Sequence, residues 1–266
     1  VEEEEAVMTT LERPRPARLA FPAIARTQFL IARRTPALLG ATVALPVLLY
    51  LVLGTSNRNA TVHGVPWTAY SLAGLGAYSA GSIMVFNFGV SLAMERGRKV
   101  DVLFRASPMR PASYFGAKTL VALTVAAVSL VLLAAVALLV NRDGLSAAIV
   151  ANLLLRLLLG SVPFLALGML IGYLAGPDAA SAAASLSYLL LSFCSGLFIP
   201  LSQLPHGVRD VARFLPTYHF AQLAWGALGA SDETTAASIG WLLGWTVFFF
   251  GAAYRRYARD QAKRFG

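Results

Sequence analysis

Few residues in this 266-residue chain are equipped for chemistry, and most of them fall together. The densest group lies between Met94 and Lys118, MERGRKVDVLFRASPMRPASYFGAK. Glu95, Arg96, Arg98, Lys99, Asp101 and Arg105 line a short predicted helix there, which Ser107-Pro108 stops. Val100, Leu103 and Phe104 give that helix an apolar edge. Charges that set register beside an apolar anchor suit docking of another protein. A solvated loop whose charges only set topology is the plainer alternative, and the residues alone leave the two even. Arg156 stands apart, inside a long apolar run. An ionisable group in such a run is a functional candidate by default, but it can also snorkel outward or pair with an acid such as Asp143. Asn87, Ser91 and Asn152 are polar positions in apolar runs. They suit the lining of a path, and equally suit hydrogen bonds between helices.

The remaining groups exclude several chemistries. Asp178 is isolated, and no DxxD-like pair exists for an intramembrane lipid enzyme that works through a metal. His63, His206 and His219 lack ligand spacing, and Cys194 is the lone cysteine, so the sequence predicts no metal site and no disulfide. No GxxxxGK[ST] is present to cradle nucleotide phosphates. Mid-membrane acids or inverted repeats, the marks of an ion-coupled transporter, are not visible. A non-transporting anchor or sensor stays open.

The elements that must position these residues follow from composition. The chain is 57% hydrophobic and 13% charged, with mean hydropathy +0.65; a soluble domain carries about 25% charged residues. This predicts an all-α integral membrane protein. Residues 1–17 form a polar cytoplasmic tail, 18–259 a single membrane domain and 260–266 a second tail. Residues 18–36 alternate Arg18, Arg26 and Arg33 with Phe21, Ile24 and Phe29, as an amphipathic helix in the headgroup layer does. Six spans are expected, at about 37–54, 67–94, 113–140, 147–175, 179–199 and 236–254. Basic residues crowd one set of connections: Arg96, Arg98, Lys99, Arg105, Arg110 and Lys118 on one loop, and Arg255, Arg256, Arg259, Lys263 and Arg264 after the last span. The opposite side has Arg58, Arg142, Arg209 and Arg213. The bias places both termini in the cytoplasm and accounts for the net charge of +9 without a nucleic-acid partner.

Residues 186–227 break this pattern. An apolar run ends at Gly196 and Pro200, a short piece lies between Pro205 and Pro216, and a second apolar piece begins near Tyr218. Neither piece approaches the roughly twenty residues needed to cross a bilayer. The segment therefore reads as a helical hairpin that dips back into the membrane from the outer face, against the alternative of a surface loop with an interfacial helix. Phe193, Phe198, Tyr218 and Trp225 fit a hydrophobic gate there, or an interfacial aromatic belt.

Three stretches, in this order, resemble the type-2 ABC-transporter permease family: Glu95-Arg96 with Ala106-Ser107-Pro108 and Tyr114-x-x-Ala117-Lys118; Gly196-Leu197-Phe198-Ile199-Pro200 with Leu204-Pro205; and Val211-Ala212-Arg213-Phe214-Leu215-Pro216-Thr217-Tyr218. The resemblance covers 18–259. It implies that the charged helix of the 94–118 loop is a coupling helix and that 196–218 is an outward-facing re-entrant region. It further implies two copies of a separate ATPase subunit, which hold the ATP and magnesium while this chain binds no cofactor, and a second permease chain, identical or related. The implied activity is export of an amphipathic substrate, such as a drug, antibiotic or lipid, across a bacterial plasma membrane. Export of a lipid-linked polysaccharide is the close variant. Where many members have Gly-Thr followed by an acid, this chain has Lys99-Val100-Asp101, so the location of the contact carries over better than its individual residues.

Overall fold

A computed structural model describes residues 20–34, 36–98, 111–141 and 145–265. Helices dominate these residues. In chain order they are α1 (Ala20–Arg34), α2 (Pro36–Leu49), α3 (Trp67–Gly97), α4 (Pro111–Val140), α5 (Ala147–Gly160), α6 (Val162–Leu174), α7 (Pro177–Cys194), α8 (His206–Ala212), α9 (Pro216–Trp225) and α10 (Thr235–Phe265). A two-residue hairpin pairs β1 (Thr61–Val62) with β2 (Val65–Pro66). Its turn, His63-Gly64, has positive φ at both residues, as the right-handed twist of a hairpin favours.

Helix α3 is the axis of the molecule. At 31 residues it is roughly 46 Å long. Helices α4, α6, α7 and α9 all pack against it, α6 most extensively. Leu75, Ile83, Met84, Val85 and Phe88 are buried along it. Small side chains make this possible, because they let neighbouring backbones approach without leaving voids. The closest approach is to α6. A Cβ on Gly168 would stand 2.8 Å from the Val85 carbonyl oxygen, and one on Gly172 would stand 3.0 Å from that of Gly89. Neither position has room for a side chain.

Four described helices are long and apolar enough to cross a membrane: Trp67–Gly97, Ala112–Val140, Ala147–Leu174 and Thr235–Arg259. The third joins α5 to α6 through Ser161. Pro163, in the first turn of α6, has no N–H to continue the ladder, so the helix is reset there. The stretch 37–54, expected as a span, forms α2, with Pro46 inside it, and a π-helical turn at Tyr50–Gly54, and is not among these four. Asn141 donates to the Tyr50 hydroxyl at 2.8 Å and so pins that turn to the end of α4.

Several expected boundaries move. Helices α3 and α10 run beyond 94 and 254, because apolar composition marks what lipid tolerates while the hydrogen-bonded helix continues through Glu95, Arg96 and Arg255. The helix expected to reach 199 stops at Cys194. Gly196 takes φ +80°, its N–H meets the Phe193 carbonyl at 3.2 Å, and the Leu197 N–H meets that of Ser192 at 3.2 Å. This is a Schellman ending, which satisfies the last carbonyls and turns the chain out of the helix. The apolar residues 197–199 carried the expected span past the break at Gly196, because hydropathy does not register a left-handed glycine.

Candidate functional site

The ends of α3 and α4 nearest residue 99 hold the densest charge cluster among the described residues. Glu95 sits two residues before the end of α3, and Tyr114 and Lys118 are one turn apart near the start of α4. Lys118 Nζ lies 2.9 Å from both Glu95 carboxylate oxygens and donates to the Tyr114 hydroxyl at 2.9 Å. The Tyr114 hydroxyl in turn donates to Glu95 Oε2. Only 4% of the Lys118 side chain is exposed, against 25% for Glu95. A lysine buried this deeply persists only with a charged partner and further hydrogen bonds around it, and this arrangement supplies both.

Arg96 faces the other way. Its Nη1 donates to the Gly172 carbonyl at 2.7 Å, and its guanidinium lies 5.2 Å from the Tyr173 ring centroid. Gly172 is in the last turn of α6, where carbonyls lack helical partners and the helix dipole favours a cation. Arg98 closes α3, its N–H meeting the Met94 carbonyl at 3.0 Å. Lys99, Val100, Asp101, Leu103 and Phe104, which carry most of the predicted docking edge, lie outside the described residues. Glu95 and Arg96 belong to α3 itself, not to a separate short helix, and both are engaged inside the bundle.

The opposite end is built around α9, whose ten residues are all buried. Its C-terminal carbonyls are accounted for one by one. Those of Gln222, Ala224 and Trp225 accept from the N–H groups of Gly226, Ala227 and Leu228. The Leu223 carbonyl accepts from Arg156 Nη1 at 3.3 Å. Arg156 also donates from Nε to Asn152 Oδ1 at 3.0 Å and from Nη1 to Thr235 Oγ1 at 3.2 Å. Arg156 and Asn152 thus fasten α5 to the end of α9 and the start of α10; Asp143, weighed as a partner, lies outside the described residues. Tyr70 stacks on Trp225 with centroids 4.4 Å apart, and Trp225 Nε1 donates to the Tyr70 carbonyl at 3.2 Å. His219 Nδ1 lies 3.0 Å from Glu233 Oε2, and its ring stacks on Trp241 at 4.8 Å. Gln222 Oε1 accepts from Ser231 Oγ and from the Asp232 N–H.

The segment entering α9 is punctuated as its prolines suggest. Pro200 precedes a single 3₁₀ turn at Leu201–Gln203, Pro205 precedes α8, and Pro216 occupies the first turn of α9. Tyr218 is buried edge-on to His219, with centroids 5.2 Å apart. Phe198 contacts both Tyr78 and Phe193 with centroids 4.9 Å apart, while Phe193 is half exposed. Asn87 is half-buried on α3, and its carbonyl accepts from Ser91 Oγ. The fold brings Arg156 and Asn152 together. Asn87 and Phe193 lie elsewhere, on α3 and α7.

Two groupings escaped the sequence reading. Lys118 looked like a flanking cation, although it falls within the predicted span at 113–140, where a charge needs a partner; the acids that precede it on the same loop are Glu95 and Asp101. The His219–Glu233 pair has no such signal, since it closes across a loop from α9 to the start of α10.

Comparison with known proteins bears on the family of the chain. Residues 20–228 match the model of the family described as ABC-2 type transporter. Among curated proteins, "Putative transport permease YvfS" of Bacillus subtilis (strain 168) is 26% identical over 168 residues, which is 63% of this chain and 69% of the relative.

Proposed function

This chain belongs to the ABC-2 type transporter family, and from that membership we propose that it is the permease of an exporter for amphipathic molecules, a drug, antibiotic or lipid. The family match over residues 20–228 carries the reading. A membrane permease subunit of this family works with an ABC ATPase, which here is a separate chain present in two copies beneath a pair of permeases. The connection at 99–110 is the coupling element, and both termini are cytoplasmic in a bacterial plasma membrane. Helices α2 with its π turn and α7 complete six spans, and α1 lies along the inner interface. On the outer face, the breaks at Pro200, Pro205 and Pro216 and the complete burial of α9 support a re-entrant segment sheltered by protein, as irregular backbone at membrane depth requires. Phe193, Phe198 and Tyr218 gate the path, and Asn87 lines it. Arg156 and Asn152 support the gate from the side.

The first test is a mild-detergent pull-down from the native membrane. The expected partner is a P-loop ATPase in equal amount whose turnover rises with substrate. A chain that comes down without one contradicts the proposal. Reversing Asp101 should weaken that association without unfolding the bundle, and unchanged association and transport would remove 99–110 as the coupling element. Pro205→Ala and Pro216→Ala should lower export more than assembly.

A further inference from the structure

We propose that Glu95, Tyr114 and Lys118 are positioning residues of the transport cycle: a clamp that makes both ends of the 99–110 connection move as one body. The proposal rests on the coupling role assigned above to that connection. A segment that leaves one long helix and returns into another can be pushed in two ways. If the two helices are independent, the push splays them and is dissipated at the near end. If they are joined where the segment departs, the push moves both. The three side chains form that joint. Each touches the other two: Lys118 Nζ is 2.9 Å from both Glu95 oxygens and from the Tyr114 hydroxyl, which itself donates to Glu95. Glu95 comes from α3, and Tyr114 and Lys118 from α4, so the ring of contacts spans the gap between helices.

Lys118 and Tyr114 are buried, and Glu95, although one-quarter exposed, directs both carboxylate oxygens to Lys118. The residue that follows carries the joint further. Arg96 binds the last turn of α6 through the Gly172 carbonyl at 2.7 Å, and α6 has no clearance from α3 at Gly168 and Gly172. Tyr173 in turn meets Tyr257 of α10 edge-on with centroids 5.7 Å apart. Displacement at the end of α3 therefore reaches α4, α6 and α10 with it. Rigid packing with discrete alternatives transmits such a displacement, whereas a compliant joint absorbs it.

The test uses the full chain co-purified with its ATPase in detergent. Cys194, the single cysteine, closes α7, the helix whose first residue, Pro177, packs against Gly97 at the end of α3, and it takes an environment-sensitive thiol fluorophore, the partner's cysteines having been replaced. ATP with vanadate traps the nucleotide-bound state, and the shift in emission at Cys194 is read per trapped nucleotide. In the wild-type chain a shift is expected. In Lys118→Met it should fall at least five-fold, and in Tyr114→Phe about two-fold, with the ATPase still co-purifying in the wild-type ratio. The doubly reversed chain, Glu95→Lys with Lys118→Glu, should recover at least half of the signal. No wild-type shift, an undiminished shift in both single variants, or no recovery in the reversed pair overturns the clamp. So does loss of the ATPase from the single variants, which would make these residues part of the docking surface. Absence of an ATPase from the wild-type preparation overturns the transporter reading instead, and the clamp's purpose with it.

Discussion

The two ends of the bundle are held by different chemistry. Near residue 97, side-chain pairs dominate: Glu95, Tyr114 and Lys118 join two long helices, and Arg96 adds one bond to a backbone carbonyl. At the far end several bonds to backbone stand beside side-chain pairs such as His219–Glu233. Arg156 takes the Leu223 carbonyl, Trp225 takes that of Tyr70, and Gln222 takes the Asp232 N–H. Helix length explains the difference. Any α-helix leaves four N–H and four C=O groups without internal partners. In a 31-residue helix these are about an eighth of the backbone polar groups, but in ten-residue α9 they are about two-fifths. A long helix can devote its ionisable side chains to its neighbours, while short buried α9 has its Leu223 carbonyl completed by Arg156 and is anchored by its own Gln222 and Trp225 on backbone groups outside the helix.

The sharpest way to break this contrast is to unbalance the charged end. Glu95→Ala leaves Lys118 buried without its anion and should cost roughly 3–5 kcal/mol, the usual cost of stranding one member of a buried pair. Lys118→Met should cost less, because Glu95 retains contact with solvent. Unfolding in a denaturing-detergent titration measures both, and equal losses would deny the asymmetry. Next is the seam. Gly168→Leu forces α6 away from the Val85 carbonyl and should destabilise by about 1–3 kcal/mol, visible as earlier unfolding with the charge cluster intact. At the far end, Arg156→Met should cost about 1–3 kcal/mol through the stranded Leu223 carbonyl, with Arg156→Lys recovering part of it. Trp225→Phe keeps the stack on Tyr70 but removes one hydrogen bond. It should cost only about 0.5–1.5 kcal/mol, read as a small shift in the same titration.

This contrast also decides what could be read from the chain. The long helices were legible because their apolar runs are continuous, and the broken segment because Pro200, Pro205 and Pro216 cannot lie inside a helix that needs their N–H. Arg156 was visible as an anomaly, since charge in an apolar run demands a reason. Its reason was not visible: the acceptor is a backbone carbonyl 67 residues away, and every residue has one of those. The clamp was half legible. Its residues stood among the quoted motifs, but Glu95 reads as an exposed docking charge until the fold sets α4 beside α3. Hydropathy also measured the wrong quantity at α7, whose end is set by Gly196 and not by the apolar residues that follow it.

The seam has a consequence for how the protein is made. The best apolar window of α3 is 78% buried, compared with 22% for α10, so α3 is a helix for protein neighbours more than for lipid. Its closest neighbour, α6, begins at Val162, and α3 ends at Gly97. At synthesis rates of 5–20 residues per second, that interval leaves α3 without its closest partner for roughly 3–13 seconds. During that time its glycine face has nothing to fit against, and the ribosome, not the finished bundle, sets the order in which the axis of the molecule acquires its partners.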